Sequence, residues 1–179
     1  MKKAILILLL LIAATLIVTR INMNVSDSEF LDDYLGEIES FIDRGDSLNQ
    51  EVSQVSVAWH LHHSLLTIDQ IYMTLETSDP EKFESEISAI RTLSLTGNFI
   101  PRGLAQSPDS VRPPEEFTNQ DIKELLDKIK RLESKFTDLD EHSFFDHPYF
   151  GQLNRSHSMR FLQVHTNHHL KIIKDIVKK

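Results

Sequence analysis

Cysteine is absent from the 179 residues of this chain, and glycine and proline are scarce, with five and six residues. Without cysteine there can be no disulfide, no thiolate metal ligand and no cysteine nucleophile. Four of the prolines lie between residues 101 and 114, so long stretches elsewhere are free of helix breakers. No stretch shows convincing alternation of apolar and polar residues, which strands would give. The sequence therefore predicts an all-α fold.

The charge balance disfavours nucleic acid as a partner. The formal net charge is −8 at pH 7, which repels phosphate backbones. Apolar residues make up 40% and charged residues 26%, a balance typical of a globular domain. The sequence contains no Walker loop, dinucleotide fingerprint, HExxH or GxSxG motif, so the corresponding nucleotide-binding, metalloprotease and serine-hydrolase classes find no support.

The N-terminus carries an uncharged apolar run from Ala4 to Thr19, with two lysines before it and an arginine after it. As a helix it would span roughly 24 Å, somewhat less than a hydrocarbon core of about 30 Å. We interpret residues 1–22 as a hydrophobic signal-anchor helix, with a cleaved signal peptide and a buried core helix as alternatives. The N-terminal lysines favour an N-in orientation, which predicts a membrane-tethered protein with its domain on the outer side.

The remaining chain, residues 27–177, is predicted to form one helical domain. Apolar residues recur at spacings of three and four, and Ser26 with Glu29 has the pattern of a capping box. A long loop over 95–117 and an aromatic turn over 140–153 interrupt the helices. Four long helices joined by one long crossover predict a four-helix bundle. The helices are predicted over about 27–44, 51–77, 80–93, 119–138 and 155–177.

Two histidine clusters stand on separate predicted helices: residues 60, 62 and 63, and residues 165, 168 and 169. His165 and His169 occupy an inward seam, and a spacing of four lets both imidazoles reach one ion. Neutral imidazole suits zinc, nickel, copper or iron, and three histidines without thiolate leave a coordination position for water. Histidines that serve core packing or an oligomer interface are the alternative. Periodicity slightly prefers His62 over His63 on the second helix and points His60 toward solvent.

Two segments resemble the DinB/YfiT-like superfamily. Residues 56–69, SVAWHLHHSLLTID, are similar to its first histidine motif, and residues 147–151 (HPYFG) followed by 161–169 (FLQVHTNHH) resemble an uncharacterised branch with HPxFG and HxxHH motifs. The resemblance implies a four-helix bundle that binds a divalent metal through His63, His165 and His169. Characterised members include metal-dependent transferases and isomerases that use small thiols, and members often pair, which implies a homodimer.

The histidine pattern predicts a metal-dependent enzyme acting on an unknown small molecule, and the resemblance implies a hydrolase or thiol-type transferase. Zinc or nickel is the expected metal, with manganese or iron as further candidates. His62, His168, Asp146 and His147 are candidates to orient the ligands, although Asp146 also suits a cap or surface turn. A non-catalytic metal- or ligand-binding module and a structural bundle with packing histidines are the alternative functions.

Overall fold

The computed structural model of the protein describes residues 5–7, 10, 19, 23–103 and 106–178. The described chain is mostly helical, as the sequence predicts, and it also contains a small two-stranded sheet. Short 3₁₀ helices extend or connect the longer elements. The α-helices are α1 (Asp32–Phe41), α2 (Val57–Thr77), α3 (Ala89–Gly97), α4 (Asn119–Leu132) and α5 (Arg155–Val177), and the strands are β1 (Phe144–His147) and β2 (Gly151–Asn154).

The long helices α2 and α5 begin at side-chain caps. The Ser56 hydroxyl accepts a hydrogen bond from the Trp59 amide at 3.4 Å, and the Asn154 side chain accepts one from the His157 amide at 3.0 Å. Such caps satisfy amides that have no partner within the helix. Helix α5 has the predicted bounds, whereas α2 begins six residues later than predicted because residues 49–52 form a turn instead.

Helices α1 and α4 are each shorter than predicted. The capping box expected at Ser26 does not cap α1, which begins at Asp32. The carboxylate of Glu133 instead accepts a hydrogen bond from the Leu31 amide at that end. A capping box does form at the start of α4, between Thr118 and Asp121. Helix α4 gives way to a 3₁₀ helix over Glu133–Asp138, within the range predicted as α-helix.

The predicted helix over 80–93 is wrong. Only a 3₁₀ turn forms over Pro80–Lys82, and α3 begins later, where the Ser88 hydroxyl accepts a hydrogen bond from the Arg91 amide at 3.3 Å. Ile87, which lies within the predicted range, is outside α3 and fully exposed. Helix α3 ends at Asn98, which adopts a left-handed conformation with φ of 50°. A polar side chain that tolerates this conformation closes the helix in place of glycine.

The aromatic segment predicted as a turn folds into an antiparallel hairpin. Strand β1 pairs with β2 so that His147 lies opposite Gly151, which has φ of 69°. The buried Arg91 guanidinium donates hydrogen bonds to the carbonyls of Phe150 at 3.2 Å and Gln152 at 2.8 Å. Helix α3 is therefore fixed to the hairpin, which lies immediately before the histidine-bearing helix α5.

The core lies between the long helices. Helix α2 packs along both α4 and α5, α1 contacts α4 and α5, and α3 contacts α5. Buried aliphatic side chains line the facing surfaces, among them Leu61, Leu65 and Ile68 of α2, Ile122 of α4 and Leu162 of α5. Because α2 is in contact with neighbours on more than one side, it buries most of its circumference.

The predicted membrane attachment requires correction. Among the described residues, no helix has the length and apolar character that crossing a membrane requires. The apolar run from Ala4 to Thr19 has fewer than the roughly 20 residues that a span needs, and most of the predicted 1–22 anchor lies outside the described residues. The predictions of the membrane as a partner and of an outer-side location are therefore wrong.

Gly45 lies where the end of α1 meets the start of α4. A Cβ at this position would be 2.9 Å from Asn119 Oδ1 and 3.2 Å from the Ala58 side chain. We expect Gly45→Ala to destabilise the protein by about 1–3 kcal/mol through overpacking, measured by urea unfolding. Gly36→Ala in α1 is the control, because its Cβ would meet nothing within 4 Å and should stabilise by up to about 1 kcal/mol. Equal unfolding free energies for the two variants would contradict the close approach.

Candidate metal centre

Three histidines from two helices converge inside the protein. His63 lies on α2, and His165 and His169 lie one turn apart on α5. Each offers a ring nitrogen, and these three atoms all lie within 4.8 Å of one another. The Nε2 atoms of His165 and His169 are 3.3 Å apart. The helical spacing of four and the packing of α2 on α5 thus bring three nitrogen donors to one point.

The rings contact one another directly. The centroids of His165 and His169 are 4.6 Å apart, those of His63 and His169 are 4.7 Å apart, and those of His63 and His165 are 5.2 Å apart. His63 and His169 are buried, whereas His165 is partly exposed. A divalent ion bound by imidazole sits about 2 Å from each nitrogen, so donors this close could share one ion after small rotations.

His63 is held by two neighbours. Its Nδ1 lies 2.8 Å from the carbonyl oxygen of Val111, to which it donates, so Nε2 carries the lone pair. The Trp59 ring stacks on His63 at 4.9 Å with 22° between the planes. Val111 belongs to a short 3₁₀ helix in the long loop before α4. That loop therefore packs over the domain and orients one of the three imidazoles.

His169 is held by His60, a residue that sequence reasoning pointed toward solvent. His60 is only 5% exposed, and its Nδ1 lies 2.9 Å from Nδ1 of His169. The other ring nitrogen of His60 lies 2.9 Å from the Ser53 hydroxyl. The spacing of three between His60 and His63 places both on one face of α2, and this signal could have identified His60.

His165 has a different environment. Its ring is 5.4 Å from the ring of Phe161, which itself lies 4.8 Å from the ring of His147. Its Nδ1 is buried and, within the described part of the chain, makes no hydrogen bond. His165 is therefore the least constrained of the three candidate ligands.

Burial keeps the three imidazoles neutral. It lowers the pKa of His165 and of His169 well below the ordinary value, and neighbouring imidazoles lower both further. Burial also lowers the pKa of His63, against a smaller opposite effect of the Val111 carbonyl. Neutral imidazole is the form that binds metal.

The other predicted candidates take separate positions. His62 lies against Phe117, with 4.6 Å between ring centroids, and His147 stacks on Phe150 at 4.4 Å. Asp146 is exposed on β1. None of these three belongs to the converging group, which consists of His63, His165 and His169. The ring of His168, in contrast, lies 5.1 Å from that of His169. Of the candidates for orienting the ligands, only His168 contacts one of them.

A cavity of about 250 Å³ lies beside α5. His168 forms part of the cavity wall, and its ring lies 5.1 Å from the ring of His169. Burial lowers the pKa of His168 to about 4, so this wall residue is also neutral at physiological pH. The cavity is lined by Asn98, Phe99, Ile100, Arg102, His168 and Lys171.

Part of the chain is similar to a known protein family. The family model described as a protein of unknown function (DUF1569) matches residues 89–176, just under half of the chain. The matched region includes His165 and His169 and begins after α2, which carries His63. No curated protein and no solved structure matches the chain significantly.

Proposed function

We propose that this protein binds one divalent transition-metal ion through His63, His165 and His169 and uses it in a hydrolase or transferase reaction on a small molecule. The convergence of three neutral imidazole nitrogens within 4.8 Å carries the proposal. Three histidines would leave at least one coordination position open, the pattern of catalytic rather than structural sites.

The donor set favours particular ions. Imidazole alone, without carboxylate or thiolate, suits zinc or nickel better than manganese, which prefers oxygen ligands, and iron remains an intermediate choice. Such an ion would supply Lewis acidity, which lowers the pKa of a water or thiol that it binds. The protein itself contributes the geometry, through the Val111 carbonyl at His63 and through His60 at His169.

We also propose that α1, α2, α4 and α5 form a four-helix bundle of the DinB-like kind. The mutual contacts of these helices support it, and the long connection through α3 to α4 serves as the crossover. The HPxFG motif corresponds to the turn of the hairpin before α5. In this arrangement one metal ligand comes from the second helix of the bundle and two from the last.

The cavity beside α5 supports a small-molecule substrate. It extends from the loop residues Asn98–Ile100 to His168, next to the candidate ligand His169. Phe99 is 61% exposed there, so an apolar ring is available to a ligand. A volume of about 250 Å³ suits a small organic molecule rather than a polymer segment.

A second candidate is a cluster that serves packing alone. The rings contact each other at 4.6–5.2 Å, as aromatic residues do in ordinary cores. Buried neutral histidines with hydrogen-bond partners need no ion for stability. The two candidates differ in whether the folded chain gains stability from metal.

Metal analysis of the full chain tests the proposal. We expect about one equivalent of zinc or nickel per chain, and zinc at 100 times its dissociation constant should stabilise the fold by about 2.7 kcal/mol. Elemental analysis and thermal unfolding with and without a chelator measure both quantities. Magnesium, which prefers oxygen ligands, is the control ion. Absence of bound metal together with an unchanged unfolding temperature in zinc would leave only the packing role.

A further inference from the structure

We propose that His60, anchored by Ser53, fixes His169 as the tautomer protonated on Nδ1, so that the Nε2 lone pair of His169 faces His63 and His165. The role of this positioning residue in metal binding rests on the proposed function. The tautomer itself does not, because it follows from hydrogen bonds within the protein.

The hydrogen bonds form a continuous chain. Ser53 Oγ lies 2.9 Å from His60 Nε2, His60 Nδ1 lies 2.9 Å from His169 Nδ1, and His169 Nε2 lies 3.3 Å from His165 Nε2. Each neutral imidazole donates through one ring nitrogen and accepts through the other, so all hydrogen bonds in the chain must run in the same sense. The protons point either from His165 toward Ser53 or from Ser53 toward His165.

The end of the chain at His165 decides the direction. If the protons pointed toward His165, its own proton would have to lie on Nδ1, which is buried without a hydrogen-bond partner. A buried N–H group without an acceptor is costly and rare in folded proteins. In the opposite direction His165 donates from Nε2, His169 donates from Nδ1 to His60, and His60 donates from Nε2 to Ser53. Every proton then has an acceptor in the metal-free protein. An ion bound by Nε2 of His165 would require the proton of that ring to move to Nδ1, whereas His169 already has its Nε2 lone pair free of a proton.

The Ser53 end is compatible with this direction. Ser53 Oγ also lies 3.2 Å from the Val55 amide, which donates to it. A hydroxyl oxygen has two lone pairs, so it can accept from both Val55 and His60. Ser53 itself is partly exposed, which leaves its own proton free to bond to solvent. The arrangement resembles the hydrogen-bonded partners that orient metal-binding histidines elsewhere, with an imidazole in place of the usual carboxylate or carbonyl.

Long-range ¹H–¹⁵N NMR of the metal-free full chain tests the tautomer. We expect His169 to appear as the Nδ1–H form in the wild type. In His60→Phe, which keeps a ring but removes the acceptor, we expect a mixture of tautomers. His60→Asn should restore the wild-type form, because its side-chain oxygen can take the place of Nδ1. His62→Phe, on the same helix but against Phe117, is the control and should leave the His169 signals unchanged.

Zinc competition with a chromophoric chelator and the visible spectrum of the cobalt form test the consequence for binding. We expect His60→Phe to weaken zinc 10–100-fold and to shift the cobalt bands, and His60→Asn to recover most of the affinity. A wild-type His169 protonated on Nε2, or a His60→Phe variant with unchanged tautomer, overturns the inference whether or not metal binds. A chain that binds no metal while His169 keeps the Nδ1–H form refutes only the proposed function.

Discussion

Replacing His169 by alanine is expected to lower zinc affinity by roughly 100-fold or more. Loss of a group that merely orients a ligand costs 10–100-fold at metal sites, so loss of a ligand should cost at least as much. His169 contacts both other candidate ligands, at ring distances of 4.6 and 4.7 Å. His63→Ala should have a similar effect, because it leaves only the two histidines of α5. Isothermal titration with zinc at pH 7.5 measures the loss.

The matched control for His63→Ala is His62→Ala. Both residues lie on α2 and both are buried, with exposures of 2% and 6%. The two variants remove the same imidazole from neighbouring positions. Only His63 belongs to the converging group, so His63→Ala should lose zinc affinity and His62→Ala should keep it. Unfolding of both variants without metal verifies that each is folded. Equal loss of zinc affinity in the two variants, or full affinity in His63→Ala, would contradict the assignment of the ligands.

Acidification from pH 8 to pH 5 is expected to destabilise the metal-free protein by at least about 3 kcal/mol. Burial lowers the pKa of His60, His147 and His168 to about 4, compared with 6.5 in the unfolded chain. The unfolded chain therefore binds protons below pH 6.5 that the folded chain does not. The stability from each histidine is complete above pH 6.5 and is lost as the pH falls toward 4, by roughly 2 kcal/mol at pH 5.

Glu133 opposes this effect. Burial raises its pKa to about 7, so the folded state holds a proton that the unfolded state releases above pH 4.5. Its contribution to stability increases as the pH falls, by roughly 2–3 kcal/mol between pH 8 and pH 5. The three histidines together lose roughly 6 kcal/mol over the same interval and exceed this gain. The lowered pKa values of His165 and His169 act in the same direction as theirs.

Urea unfolding at the two pH values, with a chelator present, measures the difference. His147→Phe keeps an aromatic ring against Phe150 but removes one titrating group, so it should reduce the pH difference by roughly 2 kcal/mol. His142→Phe, at an exposed position, is the control and should leave the difference unchanged. The same unfolding free energy at pH 8 and pH 5 would show that the buried histidines do not govern acid stability.

Much of the helical structure could be predicted because local signals and packing agree. Helix α5 has its cap at Asn154 and its apolar seam in one continuous stretch, and its bounds match the prediction. The prediction of a helix over 80–93 is wrong because Phe83, Ile87 and Ile90, which recur at helical spacing, are not buried. The fold instead depends on Arg91, whose guanidinium bonds to the distant hairpin. No local pattern reports such a long-range contact.

The candidate site could be predicted in part. A spacing of four on an inward seam predicts that His165 and His169 lie together, and their ring centroids are 4.6 Å apart. On α2, periodicity could not separate His60, His62 and His63, because the helix is buried around most of its surface and all three are buried. Their different roles depend on neighbours from distant parts of the chain, namely His169, Phe117 and Val111. The small hairpin cannot be predicted from alternation because each strand has only four residues.

His63 and His165 are separated by roughly 100 residues of chain, yet their ring centroids are 5.2 Å apart. An ion shared between them would act as a reversible cross-link that ties α2 to the C-terminal helix. In the denatured ensemble the same donors are far apart and compete poorly for metal. Cellular metal supply would then set how long the folded chain survives proteolysis. Starvation for metal would shorten the lifetime of the protein before it lowers its catalytic activity.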